Sequence, residues 1–280
     1  LVTCASTLYS EAVGATSAQP GNVVLGYNAL ASGAYGVAIG YEVQNCSTVD
    51  GFNSSVAIGY DARVCSYSSI SIGTVSRSSD SSISIGTQTC SANTGISIGF
   101  QTIAECNSSI VIGRSNCSLA DYGIVIGSLS SQTSAAQAAV IGYCSCSSHV
   151  NSTVIGVQLA SERADTVHVD NLVAYGQGAS KSFDIGSVTG TATVDFDEGN
   201  NQYLTLTGST TLTFSNPIAG ANYSLLLTQG GVGSYTVTWP TIKWANAIPP
   251  TLSTTVGKID LVNLLYDGTS YYGSWAVNFA

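Results

Sequence analysis

Between Val23 and Gly156 the apolar and polar positions recur in one short phrase, an apolar triplet closed by glycine. Its ten copies end at Gly26, Gly40, Gly59, Gly73, Gly86, Gly99, Gly113, Gly127, Gly142 and Gly156. Successive glycines lie 14, 19, 14, 13, 13, 14, 14, 15 and 14 residues apart. A period held this closely is the signature of a repeat architecture. In Val37-Ala38-Ile39-Gly40, Val56-Ala57-Ile58-Gly59, Ile70-Ser71-Ile72-Gly73 and Ile83-Ser84-Ile85-Gly86, bulky β-branched residues flank a small one. Period-two alternation is strand geometry, and Ile and Val suit a pleated surface. The glycine supplies a turn that a Cβ would obstruct. About 14 residues hold two short strands and two turns, a unit too thin to bury its own apolar face. Stacked coils bury it jointly, and ten of them span about 45–50 Å. The expected packing puts the bulky side chains inside the roll and the small ones where chains approach.

Beyond Gly156 the phrase changes. Residues 160–172 read ASERADTVHVDNL, and Thr166-Val167-His168-Val169 alternates like a last strand. A polar cap is expected here, because an open ladder would otherwise remain. Residues 173–183 read as a linker, with Gly176 and Gly178 among small residues. From Asp184 the period is lost while alternation continues. Strands are predicted at 191–197, 202–207, 210–214, 223–228, 235–239, 258–266 and 270–279. Tight turns are expected at Gly208-Ser209, at Asp267-Gly268 and around Gly230, Gly231 and Gly233. The fold class is therefore all-β. The domains are 1–20, a degenerate coil or connector; 21–159, the roll; 160–183, neck and linker; and 184–280, a β-sandwich or jelly-roll-like module. Ala12-Val13-Gly14 reads as a worn first coil, and the long Gly40–Gly59 interval as a bulge near residues 47–51.

The phrases SSVAIGYDARV and GAYGVAIGYEV resemble the head repeat of YadA-like trimeric autotransporter adhesins, a repeat also found in phage tail-fibre proteins. The resemblance covers residues 21–171 and implies a left-handed parallel β-roll, three of which pack around an axis. The chain departs from that family in its cysteines and in Ser or Thr after the glycine, as at Ser76 and Thr89. ASERADTVHVDNL resembles the neck that follows such heads. TVTWPTIKW and YDGTSYYGSWAVNF resemble C-terminal modules of phage tail-fibre and other virion-associated proteins. Together these imply a homotrimeric viral fibre, extracellular on the virion surface. Its rigid rod would present a C-terminal tip to a host cell-surface receptor, a glycan, with other tail or capsid proteins as partners. A bacterial adhesin head, a structural filament or capsid-decoration protein, and a polysaccharide-degrading tailspike are the alternatives. No coiled-coil stalk or membrane barrel follows the roll, which favours the phage fibre.

Composition narrows this further. Only 8% of residues are charged, against roughly 25% in an average soluble domain. No apolar run approaches the roughly 18 residues that span a bilayer, so membrane insertion is not expected. A surface covered by copies of the chain is the remaining reading. The net charge of −9 argues against nucleic-acid partners. No methionine occurs, so a processed or partial chain with an anchor upstream is expected.

Candidate chemistry is sparse. His149 lies in a Ser-rich turn and His168 in the neck. Neither forms a persuasive catalytic set, so no enzyme activity and no cofactor are expected. Asp195-Phe196-Asp197-Glu198-Gly199-Asn200 is the acidic cluster, read as a solvated hairpin turn. Cys4, Cys46, Cys65, Cys90, Cys106, Cys117, Cys144 and Cys146 all lie in the N-terminal half. Neighbouring coils bring such residues to about one strand spacing, near the lower limit for a disulfide. From Cys46 to Cys146 all are disulfide candidates without assigned pairing, and buried thiols are the equal alternative. Their spacing does not suit zinc, and no metal is expected. Sequons stand at Asn45, Asn53, Asn107, Asn116, Asn151 and Asn222. In the last domain Trp239, Trp244, Tyr271 and Tyr272 are the receptor-contact candidates, since exposed aromatics stack on sugars. Nearby Pro and Gly favour Trp244 and Tyr271 as loop residues.

Overall fold

A computed structural model describes residues 9–10, 16–17, 21–33, 35–46, 54–66, 68–132, 136–170, 172, 175 and 178–280. The chain divides into two compact units, Leu1–Val173 and Ala174–Ala280. The expectations for Ala12-Val13-Gly14 and for a bulge at 47–51 fall outside the described residues.

The first unit is a parallel β-solenoid. Each regular coil contributes one five-residue strand, such as Ile83–Thr87, and one two-residue strand, such as Cys90–Ser91. The long strands stack into a 12-stranded sheet running from Tyr9–Ser10 to Val167–Val169. The short strands stack into a 10-stranded sheet from Thr16–Ser17 to Cys146–Ser147. Pairing is parallel and in register, with Ile83 beside Ile96, Ser84 beside Ser97 and Gly86 beside Gly99. The glycines therefore stand in a column. At Gly86, φ is +133°, and a Cβ would lie 1.8 Å from the carbonyl oxygen of Gly99. Glycine here serves both the backbone angle and the closeness of the next coil.

The expected side-chain orientation is reversed. The middle residues of the triplet face inward: Ala38, Ala57, Ser71, Ser84, Ser97 and Val111 are fully buried. The bulky residues on either side face outward and stay half-exposed, with Ile141 41% and Ile155 43% accessible. The reason is width. Two-residue strands close the coil so tightly that Ala, Ser or Val fills the interior, and Ile on both sides would overpack it.

The interior also changes along the stack. An apolar cluster of Val24, Ala29, Ala31, Ala38, Val43, Ala57, Ala62 and Val64 fills one end. Ala104, Val111, Val125, Val140 and Val154 fill the other. Between them the coils are lined by hydroxyls that pair across the roll. Ser71 meets Ser76 at 2.5 Å, Ser84 donates to Thr89 at 2.8 Å, and Ser97 meets Thr102 at 2.7 Å. Ser76 and Thr89, which set this chain apart from the repeat it resembles, are thus the second halves of buried pairs. Removing one partner strands the other's hydroxyl, which costs about 1–3 kcal/mol, whereas removing both costs far less. Ser84→Ala and Thr89→Val should each destabilise the roll, and the double variant should recover about 1 kcal/mol relative to the sum. Urea denaturation of the four proteins reads this out.

Coil length is adjusted in one turn. The 14-residue coils place a single residue, such as Ser108, Tyr122 or Asn151, at positive φ. The 13-residue coils place two in succession, Asp80-Ser81 and Asn93-Thr94. Paired positive φ values make the tight primed turn, which saves one residue. The stack closes at Val167–Val169, which pairs with Thr153, Val154 and Ile155. Asp170 follows Gly156 by the same 14 residues, so VHVD is a further copy of the phrase. In it His168 replaces the small inner residue and bonds Thr166 Oγ1 at 2.7 Å, and Asp170 replaces the glycine. A larger polar residue is tolerated there because that strand ends the sheet.

The second unit is one seven-stranded mixed sheet. The long strands Ser182–Asp195 and Asn201–Ser215 pair in parallel, as do Asn201–Ser215 and Asn222–Gln229. The predicted strands 202–207 and 210–214 are a single strand, so Gly208-Ser209 is not a turn. The predicted turn at Asp267-Gly268 does join the antiparallel pair Ile259–Tyr266 and Tyr271–Phe279. Val188, Val194, Phe196, Leu204, Leu206, Leu212, Tyr223, Leu225, Leu227, Val262 and Leu264 form its core. The buried Asp260 carboxylate accepts from Ser253 N at 2.8 Å, Ser253 Oγ at 2.6 Å and Asn278 N at 3.0 Å. It thereby pins the Ser253 loop to the last strand.

Candidate functional site

Three surfaces carry chemistry. The first is the outer face of the long-strand sheet, where two apolar columns run in register from Val37 to Ile124 and from Ile39 to Ile155. Among large apolar residues of this face, Val23 is 37% exposed and Ile124 and Ile126 are each 36% exposed. Contiguous exposed apolar surface of this kind marks an interaction site. Charge is marginal on this unit: Asp61 bridges Arg63 at 2.8 Å and Arg77 at 3.8 Å, all partly exposed. Just past the glycines, Tyr27, Tyr41 and Tyr60 stack with ring centroids 5.1 and 5.2 Å apart. Both faces of Tyr41 are covered in this stack, and one face each of Tyr27 and Tyr60.

The second is the cysteine set. Cys46, Cys90, Cys106, Cys117 and Cys146 are half-buried free thiols and Cys65 and Cys144 exposed ones; Cys4 lies outside the described residues. Cys90, Cys117 and Cys146 share one column but occupy alternate coils, separated by Ile103 and Ser131. Burial and a hydrogen bond to Glu105 at 3.3 Å push the Cys90 thiol up to about 11. Burial also raises Cys46, Cys106 and Cys117. Thiols held protonated are poor nucleophiles and metal ligands at neutral pH. Among the described residues no cluster of three or more His, Cys, Asp or Glu is placed to hold a metal.

The third is the aromatic region of the second unit. Three of its four predicted contact residues turn toward the core. Trp239, Trp244 and Tyr271 pack against the buried cluster, with Trp239 edge-on to Trp244 at 5.4 Å. Tyr271 lies 4.6 Å from Tyr266 and 5.1 Å from Phe214, and burial pushes its phenol up to about 12. Trp244 ends the strand Ile242–Trp244 and Tyr271 begins Tyr271–Phe279, so neither is a loop residue. Only Tyr272 is outward, 42% exposed, with Lys243 Nζ 5.0 Å from its ring centroid. Beside it Phe214, Pro240, Thr241, Lys243, Thr269, Ser270 and Tyr271 line a cleft of about 280 Å³. Trp275, absent from the predicted contacts, is 38% exposed and donates to Ile248 O at 3.4 Å.

The remaining candidates are structural. Asp195 caps the short turn Phe196–Glu198, accepting from Asn216 Nδ2 at 2.9 Å and Asp197 N at 3.1 Å, which hold its carboxyl below the usual range. Glu198 pairs with Lys181 at 3.0 Å. His149 Nδ1 meets Ser161 Oγ at 3.0 Å. The sequon residues Asn45 and Asn116 are buried, which removes them as glycan acceptors in the folded roll. No protein-family model matches the chain. No curated protein matches it.

Proposed function

We propose that the chain is a structural, host-recognition fibre protein of a virus, of the phage tail-fibre kind, assembled as a homotrimer. The solenoid is its stiff element and the C-terminal unit its receptor-binding element. The observation that carries this reading is the pair of outward Ile/Val columns. Covering half of such a side chain contributes roughly 1 kcal/mol, and the columns repeat over nearly the whole stack. A partner that covers them along their length must repeat at the same spacing of about 4.8 Å. Further copies of this chain have that spacing, and the low charge of the surface offers no repulsion to their approach. Three receptor-binding units on one assembly would gain avidity from effective concentration, so each site can bind weakly.

The unit that follows the solenoid is a mixed β-sheet with an aromatic-walled cleft, which favours the fibre over an adhesin head on a coiled-coil stalk. The receptor surface is assigned to Lys243, which lines that cleft, and to Tyr272, its partner in the strand ladder. Light scattering of the purified protein should return three times the 28.6 kDa chain mass, and a monodisperse monomer would overturn the assembly. For recognition, the double variant Lys243→Ala/Tyr272→Ala should lower adsorption to host cells by at least roughly tenfold, the loss of about 1.4 kcal/mol. Unchanged adsorption with intact circular dichroism would remove this surface from the role.

A further inference from the structure

We propose that Cys46 and Cys65 form an intrachain disulfide that staples two successive coils at the longest repeat interval. The pairing comes from register. Asn45 stands beside Val64 in the short-strand sheet, and the ladder continues one residue further, with Cys46 N donating to Val64 O at 2.8 Å. Cys46 and Cys65 therefore occupy the same position in adjacent coils. Coils are separated by roughly 4.8 Å, inside the Cα range of about 4.4–6.8 Å over which disulfides form. Side chains at equivalent positions project in the same direction, so the two sulfurs lie on one side of the ladder. Cys46 is partly buried and Cys65 exposed, and the proximity of Cys65 adds to the burial that keeps Cys46 protonated.

No other pair of described cysteines meets this condition. Cys90, Cys117 and Cys146 are two coils apart, roughly 9.6 Å, beyond reach without backbone movement. Cys144 lies at the left-handed corner two residues past Gly142, where the neighbouring coils carry Leu129 and Gln158. At the offset of Cys106, two past Ala104, the coils on either side carry Asn93 and Ala120. The location has a physical rationale. Gly40 to Gly59 spans 19 residues against the usual 14, and the Cys46–Cys65 segment contains the excess. A bond across its ends holds both flanking coils in register whatever the inserted residues do, and removes loop entropy from the unfolded chain.

The oxidant is a small-molecule disulfide. Exposed Cys65, as thiolate, attacks one sulfur of it; that S–S bond breaks, a mixed disulfide forms on Cys65 and one thiolate leaves. Cys46 then loses its proton to solvent and attacks Cys65 Sγ, forming the protein disulfide and releasing the second thiolate. Two protein thiols are oxidised and one small disulfide is reduced to two thiols.

The test is incubation of the full chain with oxidised glutathione, alkylation with iodoacetamide, and mass spectrometry of a non-reducing digest. The expected product is a Cys46–Cys65 peptide pair two hydrogens lighter than the separate peptides, from protein that keeps single-chain mobility on a non-reducing gel. Cys65→Ser should leave Cys46 alkylated or glutathionylated, with no link to Cys90, Cys117 or Cys146. The proposal is overturned if both cysteines stay alkylated, if both stop at mixed disulfides, or if the linked species migrates as two or three chains.

Discussion

Gly86→Ala is expected to destabilise the solenoid by on the order of 4–5 kcal/mol, at the upper end of single-residue effects. Two costs coincide at this residue. Its φ of +133° lies in a region that L side chains rarely adopt. The added Cβ would meet Gly99 O at 1.8 Å and Gly99 C at 2.8 Å, both backbone atoms. No rotamer change relieves a clash with backbone, so the coils must separate and their ladder hydrogen bonds must lengthen. Thermal melting of the solenoid should fall by about 10–15 °C. Gly156→Ala is the control. It closes the same phrase, but its nearest neighbours are Leu159 Cδ2 at 3.4 Å and Asp170 Oδ2 at 3.5 Å. Its φ of +158° still strains an L side chain, so that variant should lose only the backbone cost, about 1–3 kcal/mol, and melt well above Gly86→Ala. Equal losses at both positions would show that the column of glycines is not limited by the approach of the next coil.

Ile98→Asp is expected to dissolve the proposed trimer while leaving each solenoid folded. Ile98 is half-exposed, in the middle of an outward column, with Ile85 and Ile112 on either side. In a single chain a carboxylate there meets water. In the assembly it would be buried against apolar neighbours, at a cost of several kcal/mol for each ion, and each of the three chains would bring one. Since 1.4 kcal/mol is tenfold, association should weaken by at least on the order of a thousandfold. Light scattering should then return the mass of one chain, with circular dichroism unchanged. Retention of the trimer would exclude this face as the interface. Loss of the strand signal would mean that the residue supports the coil itself. Ser97→Asp, one residue away, points into the roll and should unfold it, because its Oγ is fully buried against Thr102.

Much of the first unit is legible in the sequence because the repeat imposes it. Ten glycines at a near-constant interval leave few alternatives to stacked coils, and the observed register aligns each phrase with the next. The closing strand is legible too, as an alternating Val167-His168-Val169. The second unit is less so. Alternation found its strands but not their partners, and a glycine inside Asn201–Ser215 reads as a turn although the strand runs through it. Two parallel strands separated by a five-residue turn, as at residues 196–200, carry no signal that distinguishes them from a hairpin. The aromatic candidates show the same limit: Tyr271 and Tyr272 are adjacent in sequence, and only the sheet decides that the first packs on Phe214 while the second meets solvent.

The sequence by itself determined that the N-terminal unit is a stack of coils and where the stack closes, because period and glycine placement are local properties of the chain; the first strand, Tyr9–Ser10, lies ahead of the ten glycine phrases and came only from the structure. It also determined that charge is too scarce to cover the surface. Only the tertiary structure decided which face of each strand is inside. An alternating triplet is symmetric with respect to that choice until the width of the closed coil is known, and the width admits Ser84 while turning Ile83 and Ile85 outward. The same closure placed Ser84 against Thr89, a pair set by distance across the coil and not by spacing along the chain.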